Sequence, residues 1–275
     1  MTDINNDNRQ PTTKQRLTIR ISCNSLSFST VSIGAADSQI IYEPYTVKSG
    51  ISMAANLREA LKTADLTQEG FRKVLVMIDT PVLMIPVDVF SEAESADMYA
   101  HAYPSLAADK VLHSVIPDLN VVSVFSINKD LKMVLDDHYP DINFTHVASP
   151  VWRYLHQRSY IGTRSKLYGY FHDKKLEIFS FSQRRFKFCN TFDISHTNDA
   201  LYFLLYVWKQ LMLQPEHDEM HIVGNIPERE LLLDELRKYL QRAYVINPTA
   251  DFNRAPATQI KNMPYDLMTL YVKGR

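Results

Sequence analysis

Two aspartates at the ends of strand-like segments are the residues of this sequence best suited to chemistry. Asp79 ends the apolar segment KVLVMID, and Asp173 follows the segment KLYGYFH. A carboxylate at the carboxyl end of a buried strand lies where open α/β sheets bind ligands, and there it can hold Mg²⁺ through water or act as a general base. For Asp79 we favour a structural role, in which its side chain caps the turn before Pro81.

His172 precedes Asp173 and offers a second kind of chemistry, an acid–base pair. Adjacent residues of a strand point to opposite faces, however, so we expect these two to lie in a solvated turn instead. The chain has nine histidines, but none has the spacing of a metal-ligand set and no CxxC motif is present to complete one. The sequence therefore predicts no metal site.

The most basic cluster of the chain consists of Arg184, Arg185 and Lys187, which alternate with Phe186 and Phe188. Aromatic rings next to positive charges are typical of platforms that bind single-stranded nucleic acid. Strict alternation in a strand would instead turn both phenylalanines inward, where no base can stack on them. We therefore expect the basic side chains to face solvent and the phenylalanines to pack on the other face of the strand, so nucleic acid is an unfavoured partner.

Glycine is scarce in this chain, which has seven glycines in 275 residues. An average usage of about 7% would give roughly nineteen. No two of the seven form a GxG, GG or GxxxxGK arrangement. Loops that wrap phosphates need glycine, because side chains block the approach of backbone N–H groups and disfavour positive φ. The scarcity argues against an ordinary nucleotide-hydrolysing site.

Composition and charge indicate a cytoplasmic globular protein. The formal net charge is −1, so no overall field attracts nucleic acid or an anionic membrane surface. The apolar runs are far shorter than the roughly 20 residues that a membrane helix needs, and residues 1–15 lack the apolar centre of a signal peptide. We expect those fifteen residues to form a mobile tail and expect no membrane partner.

The first half of the chain predicts an antiparallel hairpin followed by alternating helices and strands. Polar and apolar residues alternate in LTIRIS (17–22) and LSFSTV (26–31), as in half-buried strands. Pro44 makes QIIYEPYTV an edge strand, and Ser52 caps the next helix. KVLVMID has the continuous apolar run of a central strand. Further helices and strands are predicted up to PVWRYLHQRSYI, a helix that leads out of this half.

The second half repeats this order about 150 residues later. KLYGYFH, KLEIFSFS and RRFKFCNTFD predict three strands, and a long helix follows from Ser195 or Thr197. Strand, helix, strand and helix are then predicted to the end of the chain. Aligning Leu17 with Leu167 also pairs Leu26 with Leu176. The pattern predicts a tandem duplication with domains at 16–162 and 163–275, each an α/β unit with a mixed sheet flanked by helices.

This doubled order resembles the actin-like ATPase superfamily, which includes actin, Hsp70, hexokinase-type sugar kinases and the bacterial proteins FtsA and PilM. From about Arg16 onward the chain also resembles an uncharacterised bacterial family of unknown function assigned to that ribonuclease-H-like, duplicated fold. The resemblance implies two domains around a central cleft. In the superfamily, nucleotide binds in this cleft, DxG-type turns of two β-hairpins wrap its phosphates, and a GG at a strand end meets the adenosine.

Carried onto this sequence, those motifs are incomplete. The first hairpin turn, Ser22–Ser25, has neither the aspartate nor the glycine, and the second keeps Asp173 but has lysines where glycine is needed. The segment HIVGNIPERELLLDEL has one glycine of the GG. The resemblance therefore implies a degenerate nucleotide cleft whose remnant positions are Asn24, Ser25, Lys174, Lys175, Gly224 and Asn225.

These observations favour a non-catalytic cytoplasmic binding or scaffold protein with an unidentified protein partner, no cofactor, and room for a small-molecule ligand in the cleft. The alternative is a divergent Mg-ATP-dependent phosphotransferase or ATPase, in which Asp79 and Asp173 hold Mg²⁺ and Lys174 or Lys175 replaces the lost backbone amides. A second alternative is a nucleic-acid-associated module that uses the basic face around Lys187.

Overall fold

The computed structural model describes residues 16–33, 38–182 and 185–272, so the predicted tail at 1–15 and Arg184 lie outside the described residues. The elements of the first half are β1 Leu17–Ile21, β2 Leu26–Ile33, β3 Ser38–Tyr45, α1 Met53–Thr63, β4 Lys73–Ile78, β5 Leu83–Pro86, α2 Glu92–Ala102, β6 Lys110–Ile116, β7 Val121–Ile127, α3 Lys129–His138, β8 Asp141–His146 and α4 Ser149–Ser159. Those of the second half are β9 Lys166–His172, β10 Lys175–Ser182, β11 Arg185–Asp193, α5 Thr197–Gln210, β12 Glu219–Gly224, α6 Arg229–Arg237, β13 Ala243–Val245, α7 Pro248–Asp251 and α8 Tyr265–Val272.

Two five-stranded mixed sheets have the same topology. Their strand orders are β3-β2-β1-β4-β8 and β11-β10-β9-β12-β13. The equivalent hairpins also share a register, because Ile21 pairs with Leu26 in the first and Phe171 with Leu176 in the second. The predicted duplication and α/β class are confirmed. A separate antiparallel sheet of order β5-β7-β6 interrupts the first half.

The layers follow from where the apolar residues lie. Helices α1 and α3 pack against one face of the first sheet, and α5 and α6 pack against one face of the second. Between the sheets, Trp152 of α4 shares a core with Tyr168 of β9, while Leu267 of α8 packs with Leu75 and Met77 of β4. The core is therefore continuous across residues 162 and 163, where the predicted domain boundary lies.

Strand β1 differs from its prediction as a half-buried strand. All five of its residues are buried, because α1 covers the face with Leu17 and Ile19 while α8 covers the opposite face. Arg20, which the alternating pattern would place toward solvent, is only 2% exposed. A charged side chain is thereby enclosed in the centre of the molecule.

Strand β11 carries the basic cluster and contains an irregularity that the sequence did not predict. Ser180 pairs with Phe188 but the next residue, Phe181, pairs with Phe186, so the register shifts at Lys187. Phe186 consequently packs with Trp152, and Phe188 packs in the core of α5 and α6. Both phenylalanines are covered, as predicted, but on opposite faces of the sheet.

Helix α5 begins at Thr197, with His196 as its N-cap residue and Asp199 completing a capping box.

Across the described ranges, no helix combines the length and the apolar character that crossing a membrane requires.

Candidate functional site

The tips of the two equivalent hairpins, β1–β2 and β9–β10, meet each other in the centre of the molecule. The guanidinium of Arg20 donates from Nη2 to Asp173 Oδ2 at 2.7 Å and from Nη1 to Ser25 Oγ at 2.9 Å. Ser25 Oγ also donates to Asp173 Oδ1 at 3.1 Å. A closed ring of three side chains therefore joins one half of the protein to the other.

The C-terminal helix α8 completes this network through Asp266. Arg20 Nε donates to its two carboxylate oxygens at 3.0 and 2.9 Å, and the hydroxyl of Tyr170 donates to Oδ2 at 2.7 Å. Burial lowers the pKa of Arg20, but the carboxylates of Asp266 and Asp173 outweigh burial and hold that pKa well above its usual value. Burial and Asp266 together raise the pKa of Tyr170. Arg20 is therefore a fixed positive charge between two carboxylates.

A second part of the network surrounds Asp79. Lys175 Nζ donates to Asp79 Oδ1 at 2.8 Å, and burial, which lowers the pKa of Lys175, is outweighed by that carboxylate, which raises it. The other oxygen, Oδ2, is buried and makes no hydrogen bond among the described residues. Our expectation that Asp79 caps the turn before Pro81 was wrong, since its bonded oxygen faces the second half of the chain.

His172 lies between the two aspartates. Its Nδ1 is 3.5 Å from Asp173 Oδ2 and 3.9 Å from Asp79 Oδ2, and its Nε2 is 3.7 Å from Glu177 Oε1. Burial lowers the pKa of His172, but the carboxylates of Asp173, Glu177 and Asp79 raise it to about 9. Burial raises the pKa of Asp173, while His172 and Arg20 together hold it well below its usual value.

The expectation of a solvated turn at these residues was also wrong. His172 is 5% exposed and the Asp173 side chain 13% exposed, because the tip of this hairpin packs against the other hairpin instead of reaching solvent. His172 and Asp173 do lie close enough to form an ion pair. Geometry between the halves, which strand alternation cannot predict, brings them there.

Glu177 and His146 are two further buried members of the network. Glu177 is 1% exposed, and its Oε1 lies 3.9 Å from His146 Nδ1. His146 Nε2 donates to the carbonyl of Thr80 at 2.9 Å, while the backbone N–H of Ala148 donates to His146 Nδ1 at 3.3 Å. Burial lowers the pKa of His146, which agrees with a neutral ring that donates from one nitrogen and accepts at the other.

The backbone of the second hairpin turn is held in the conformation that glycine favours, without glycine. Asp173 and Lys174 have φ values of 44° and 62° in the two-residue turn between β9 and β10. Lys174 is exposed at the tip, whereas Lys175 belongs to β10 and reaches Asp79. Side chains thus surround the point where the two turns approach each other.

Gly224 has a structural reason to be glycine. Its φ is +100°, and a Cβ atom there would overlap with the backbone carbonyl oxygen of Phe171 on the neighbouring strand. The next residue, Asn225, donates its N–H to the same oxygen at 2.9 Å. The close approach of β12 to β9 alone requires this glycine.

A cavity of about 720 Å³ opens beside the hairpin tips. It collects Asn24, Ser25, Asp173, Gly224 and Asn225 from the predicted cleft, whereas Asp79, Lys174 and Lys175 do not line it. Arg20 and His172 contribute to its floor, and its walls include the aromatic or amide side chains of Tyr42, Tyr170, Tyr265 and Asn262. Another cavity, of about 760 Å³, lies between β1, β2 and residues 252–257, and contains none of the predicted site residues.

Formal charges in the network nearly balance. Arg20, Lys175 and protonated His172 supply three positive charges, against four negative ones from Asp79, Asp173, Glu177 and Asp266. The buried network therefore carries one negative charge in excess.

The basic face of β11, which was the other candidate site, is partly engaged within the protein. The Lys187 ammonium donates a hydrogen bond to the carbonyl of Leu211 at 3.2 Å.

Sequence reasoning missed Arg20, Glu177 and Asp266 as members of the site. One signal was available for all three, because each is a charged residue with a large apolar or aromatic residue on both sides, in the segments LTIRIS, KLEIFSF and PYDLMTLYV. Charged residues are almost never fully buried unless they are paired. A charge inside a predicted central strand or apolar helix thus indicates a partner from elsewhere in the chain.

Comparison with known proteins gives a family and a fold. Residues 4–242 match the family described as protein of unknown function (DUF3822). A crystal structure from Bacteroides thetaiotaomicron, described as a protein with actin-like ATPase fold and unknown function, is 27% identical with a TM-score of 0.80, and the match covers 91% of this chain and 97% of that one. The PilM-PilN type IV pilus biogenesis complex matches at 12% identity and a TM-score of 0.49, over 94% of this chain and 97% of that chain. No curated protein matches.

Proposed function

The chain belongs to this family of unknown function and has the actin-like ATPase fold, and we propose that it is a cytoplasmic, non-catalytic binding protein whose central cavity accepts a small uncharged ligand instead of Mg·ATP. The observation that carries the proposal is the ring of Arg20, Ser25 and Asp173, which joins the two hairpin tips. In this proposal the cavity is a binding pocket and the ring is its fixed floor.

Steric considerations support the proposal. A polyphosphate held by two hairpin turns needs bare backbone N–H groups that point into the gap between them. Here the gap contains the Arg20 guanidinium and the Asp173 carboxylate, which are 2.7 Å apart. A phosphate placed there would have to separate this pair, in which the Arg20 side chain is 3% exposed and the Asp173 side chain 13% exposed. Breaking a buried pair costs about 3–5 kcal/mol.

Charge also supports the proposal. The buried network has one negative charge in excess, so it would repel the several negative charges of a triphosphate instead of neutralising them. The cavity wall itself offers aromatic rings and the amide groups of Asn24, Asn225 and Asn262. Rings and amides suit a neutral polar molecule, and 720 Å³ lies within the usual range for small-molecule pockets.

Thermal unfolding with and without ligands tests this proposal. We expect millimolar Mg·ATP to leave the midpoint unchanged, while a panel of neutral polar compounds that includes adenosine raises it. A ligand at 100 times its dissociation constant stabilises the folded state by about 2.7 kcal/mol, which is several degrees for a chain of this size. A phosphate-release assay should give the same background for the wild type and for Asp79→Asn.

The phosphotransferase alternative makes the opposite predictions. Under it, Mg·ATP raises the midpoint, and both the shift and the phosphate release disappear in Asp79→Asn while they persist in an exposed control, Asp136→Asn. That combination of results would overturn the proposed function. Binding of neutral compounds that is lost when Asn225 is replaced by leucine would support it.

A further inference from the structure

We propose that Asp79, His172 and Asp173 form a binding site for a divalent first-row transition metal ion such as Zn²⁺ or Mn²⁺, and that the ion joins the two halves of the protein. Asp79 follows β4 of the first sheet, whereas His172 ends β9 of the second sheet and Asp173 is the first residue of the turn after it. The site extends the proposed function, since the ion would fix the floor of the cavity without taking part in its ligand chemistry. It does not depend on which ligand enters the cavity.

The geometry of the three side chains suits such an ion. Their donor atoms all lie within 4.8 Å of one another. Three donors at about 2.1 Å from a tetrahedral metal are about 3.4 Å apart. The 3.5 Å between His172 Nδ1 and Asp173 Oδ2 already has that length, and the 3.9 Å between His172 Nδ1 and Asp79 Oδ2 exceeds it by about half an ångström.

Polar atoms without partners converge on the same point, which is an independent indication of a ligand. Asp79 Oδ2 and both ring nitrogens of His172 make no hydrogen bond within the described part of the chain. Asp79 is 7% exposed and His172 5% exposed, so solvent does not satisfy these atoms fully. An unsatisfied buried polar group costs about 1–3 kcal/mol, and more if it is charged. A metal ion coordinated by Asp79 and His172 removes that cost at two of these atoms.

The third of these unpartnered atoms, His172 Nε2, lies close to the side chain of Glu177. His172 Nε2 lies 3.7 Å from Glu177 Oε1, and both carboxylate oxygens of Glu177 are buried without a hydrogen-bond partner among the described residues. Metal-ligating histidines almost always donate their other N–H to a carboxylate, carbonyl or water, which fixes the orientation of the ring. With Nδ1 on the metal, the Nε2–H group points at Glu177, which becomes a positioning residue.

The charges also favour a dication. When a metal ion replaces the proton on His172 Nδ1, the four carboxylates of the network face two protein cations, Arg20 and Lys175, together with the ion itself. A divalent ion between Asp79, His172 and Asp173 brings the formal charge of the network to zero. The remaining oxygen of Asp79 stays bonded to Lys175, and Asp173 stays bonded to Arg20, while the ion replaces the contacts of His172 Nδ1 with Asp173 and Asp79. Imidazole as a donor selects a transition metal over Mg²⁺ or Ca²⁺.

Calorimetric titration of the chelator-treated full-length chain with Zn²⁺ and with Mn²⁺ tests the proposal, and Mg²⁺ provides the comparison. We expect one ion per chain, a raised thermal midpoint, and no response to Mg²⁺ at the same concentration. His172→Gln and Asp79→Asn should each weaken binding at least about 100-fold. Glu177→Gln should keep the stoichiometry and weaken binding about 10- to 100-fold. The exposed His217→Gln is the matched control and should bind as the wild type does.

Two further readouts keep the test decisive. Co²⁺ in place of Zn²⁺ gives a visible absorption spectrum that depends on its ligands, so Asp79→Asn and Glu177→Gln should change that spectrum while His217→Gln leaves it unaltered. Asp79→Asn keeps the shape of the side chain and carries the test if His172→Gln does not fold. The absence of stoichiometric binding in the wild type, or wild-type affinity in folded Asp79→Asn and His172→Gln, would overturn the metal site.

Discussion

Replacing Arg20 with methionine should destabilise the protein strongly, because this one guanidinium bonds to both hairpins and to α8. The substitution keeps much of the apolar volume of the side chain and removes its charge. It deletes the donors to Ser25 at 2.9 Å, to Asp173 at 2.7 Å and to both oxygens of Asp266. Two carboxylates would then remain in the centre of the molecule without their cation.

The loss of stability in Arg20→Met depends on which hydrogen-bond and charge partners each carboxylate retains. Asp266 is fully buried and would retain the hydroxyl of Tyr170, while Asp173 is 13% exposed and would retain the hydroxyl of Ser25 and the nearby His172. Removing one member of a buried ion pair costs about 3–5 kcal/mol, and these remaining partners favour the middle of that range, about 4 kcal/mol. At roughly 2–4 °C per kcal/mol, the thermal midpoint should fall by about 8–16 °C.

Urea-induced unfolding at pH 7 measures this loss. The chain has two tryptophans, Trp152 of α4 in the core between the sheets and Trp208 of α5 beside the second sheet. Fluorescence therefore reports on the contact between the halves and on the second half. Arg153→Met is the matched control, because Arg153 forms an exposed ion pair with Asp118 at 2.7 Å and its loss should cost about 0.2–1 kcal/mol.

A double variant isolates the pair itself. Adding Asp266→Asn to Arg20→Met removes one of the uncompensated charges, so the double variant should lose less free energy of unfolding than the two single variants together, with a coupling of about 0.5–3 kcal/mol. If Arg20→Met loses no more than Arg153→Met does, or if the single losses simply add, the network does not hold the hairpins together and the reasoning fails.

Three further predictions concern single residues. Gly224→Ala should cost about 3 kcal/mol or more in urea unfolding, since its Cβ overlaps with the neighbouring backbone of β9, whereas Gly50→Ala, also at positive φ but in open space, should cost about 1–2 kcal/mol. An aromatic disulfide reagent should modify Cys23 faster than Cys189, because Cys23 is exposed and Cys189 only partly so, and because burial raises the pKa of both thiols but that of Cys189 to well above its usual value. Burial lowers the pKa of His221. Below a pH of about 6.5 the unfolded chain therefore binds a proton that the folded chain does not, and the wild type should lose more stability than His221→Gln between pH 7 and pH 5.5. The glycine prediction fails if Gly224→Ala and Gly50→Ala lose equal free energies of unfolding, and the thiol prediction fails if both cysteines are modified at the same rate. The histidine prediction fails if the wild type and His221→Gln lose equal stability between pH 7 and pH 5.5.

The elements of the fold could be predicted from the sequence because their signals are local. Alternation in LSFSTV, the apolar run of KVLVMID and the cap at Ser52 all act within a few residues. Apart from β5, α2, β6 and β7, which are inserted in the first half, the strands of the two five-stranded sheets and the helices between them follow in the same order in both halves. The register shift at Lys187 could not be predicted, since the alternation of RRFKF is itself regular and the shift shows only in the pairing with β10. Pairing depends on residues elsewhere in the chain.

The site was harder to predict for the same reason. Arg20 and Asp266 are 246 positions apart, and Asp79 and Lys175 are 96 apart, so neither pair has a spacing that a motif could record. Alternation assigned Arg20 to solvent and Asp173 to an open turn, because a pattern along one strand describes its own two faces and nothing that covers them. Four of the remnant positions from the resemblance, Asn24, Ser25, Gly224 and Asn225, line the cavity. Arg20, which bonds to Ser25 and Asp173 at its floor, is a residue that no motif of the superfamily marks.

The duplicated topology itself explains why a network of side chains can occupy this place. Two copies of one hairpin, related by the repeat, bring their tips together at the centre of the cleft. When the tips carry glycine, the gap between them remains open to a ligand that bonds to both backbones. When one strand carries arginine and the opposite tip carries aspartate, as Arg20 and Asp173 do here, the gap closes on a bond between the halves that needs no ligand. Under the proposed function, Arg20, Ser25 and Asp173 therefore place a bonded ring of side chains where two glycine-containing turns would leave room for a phosphate.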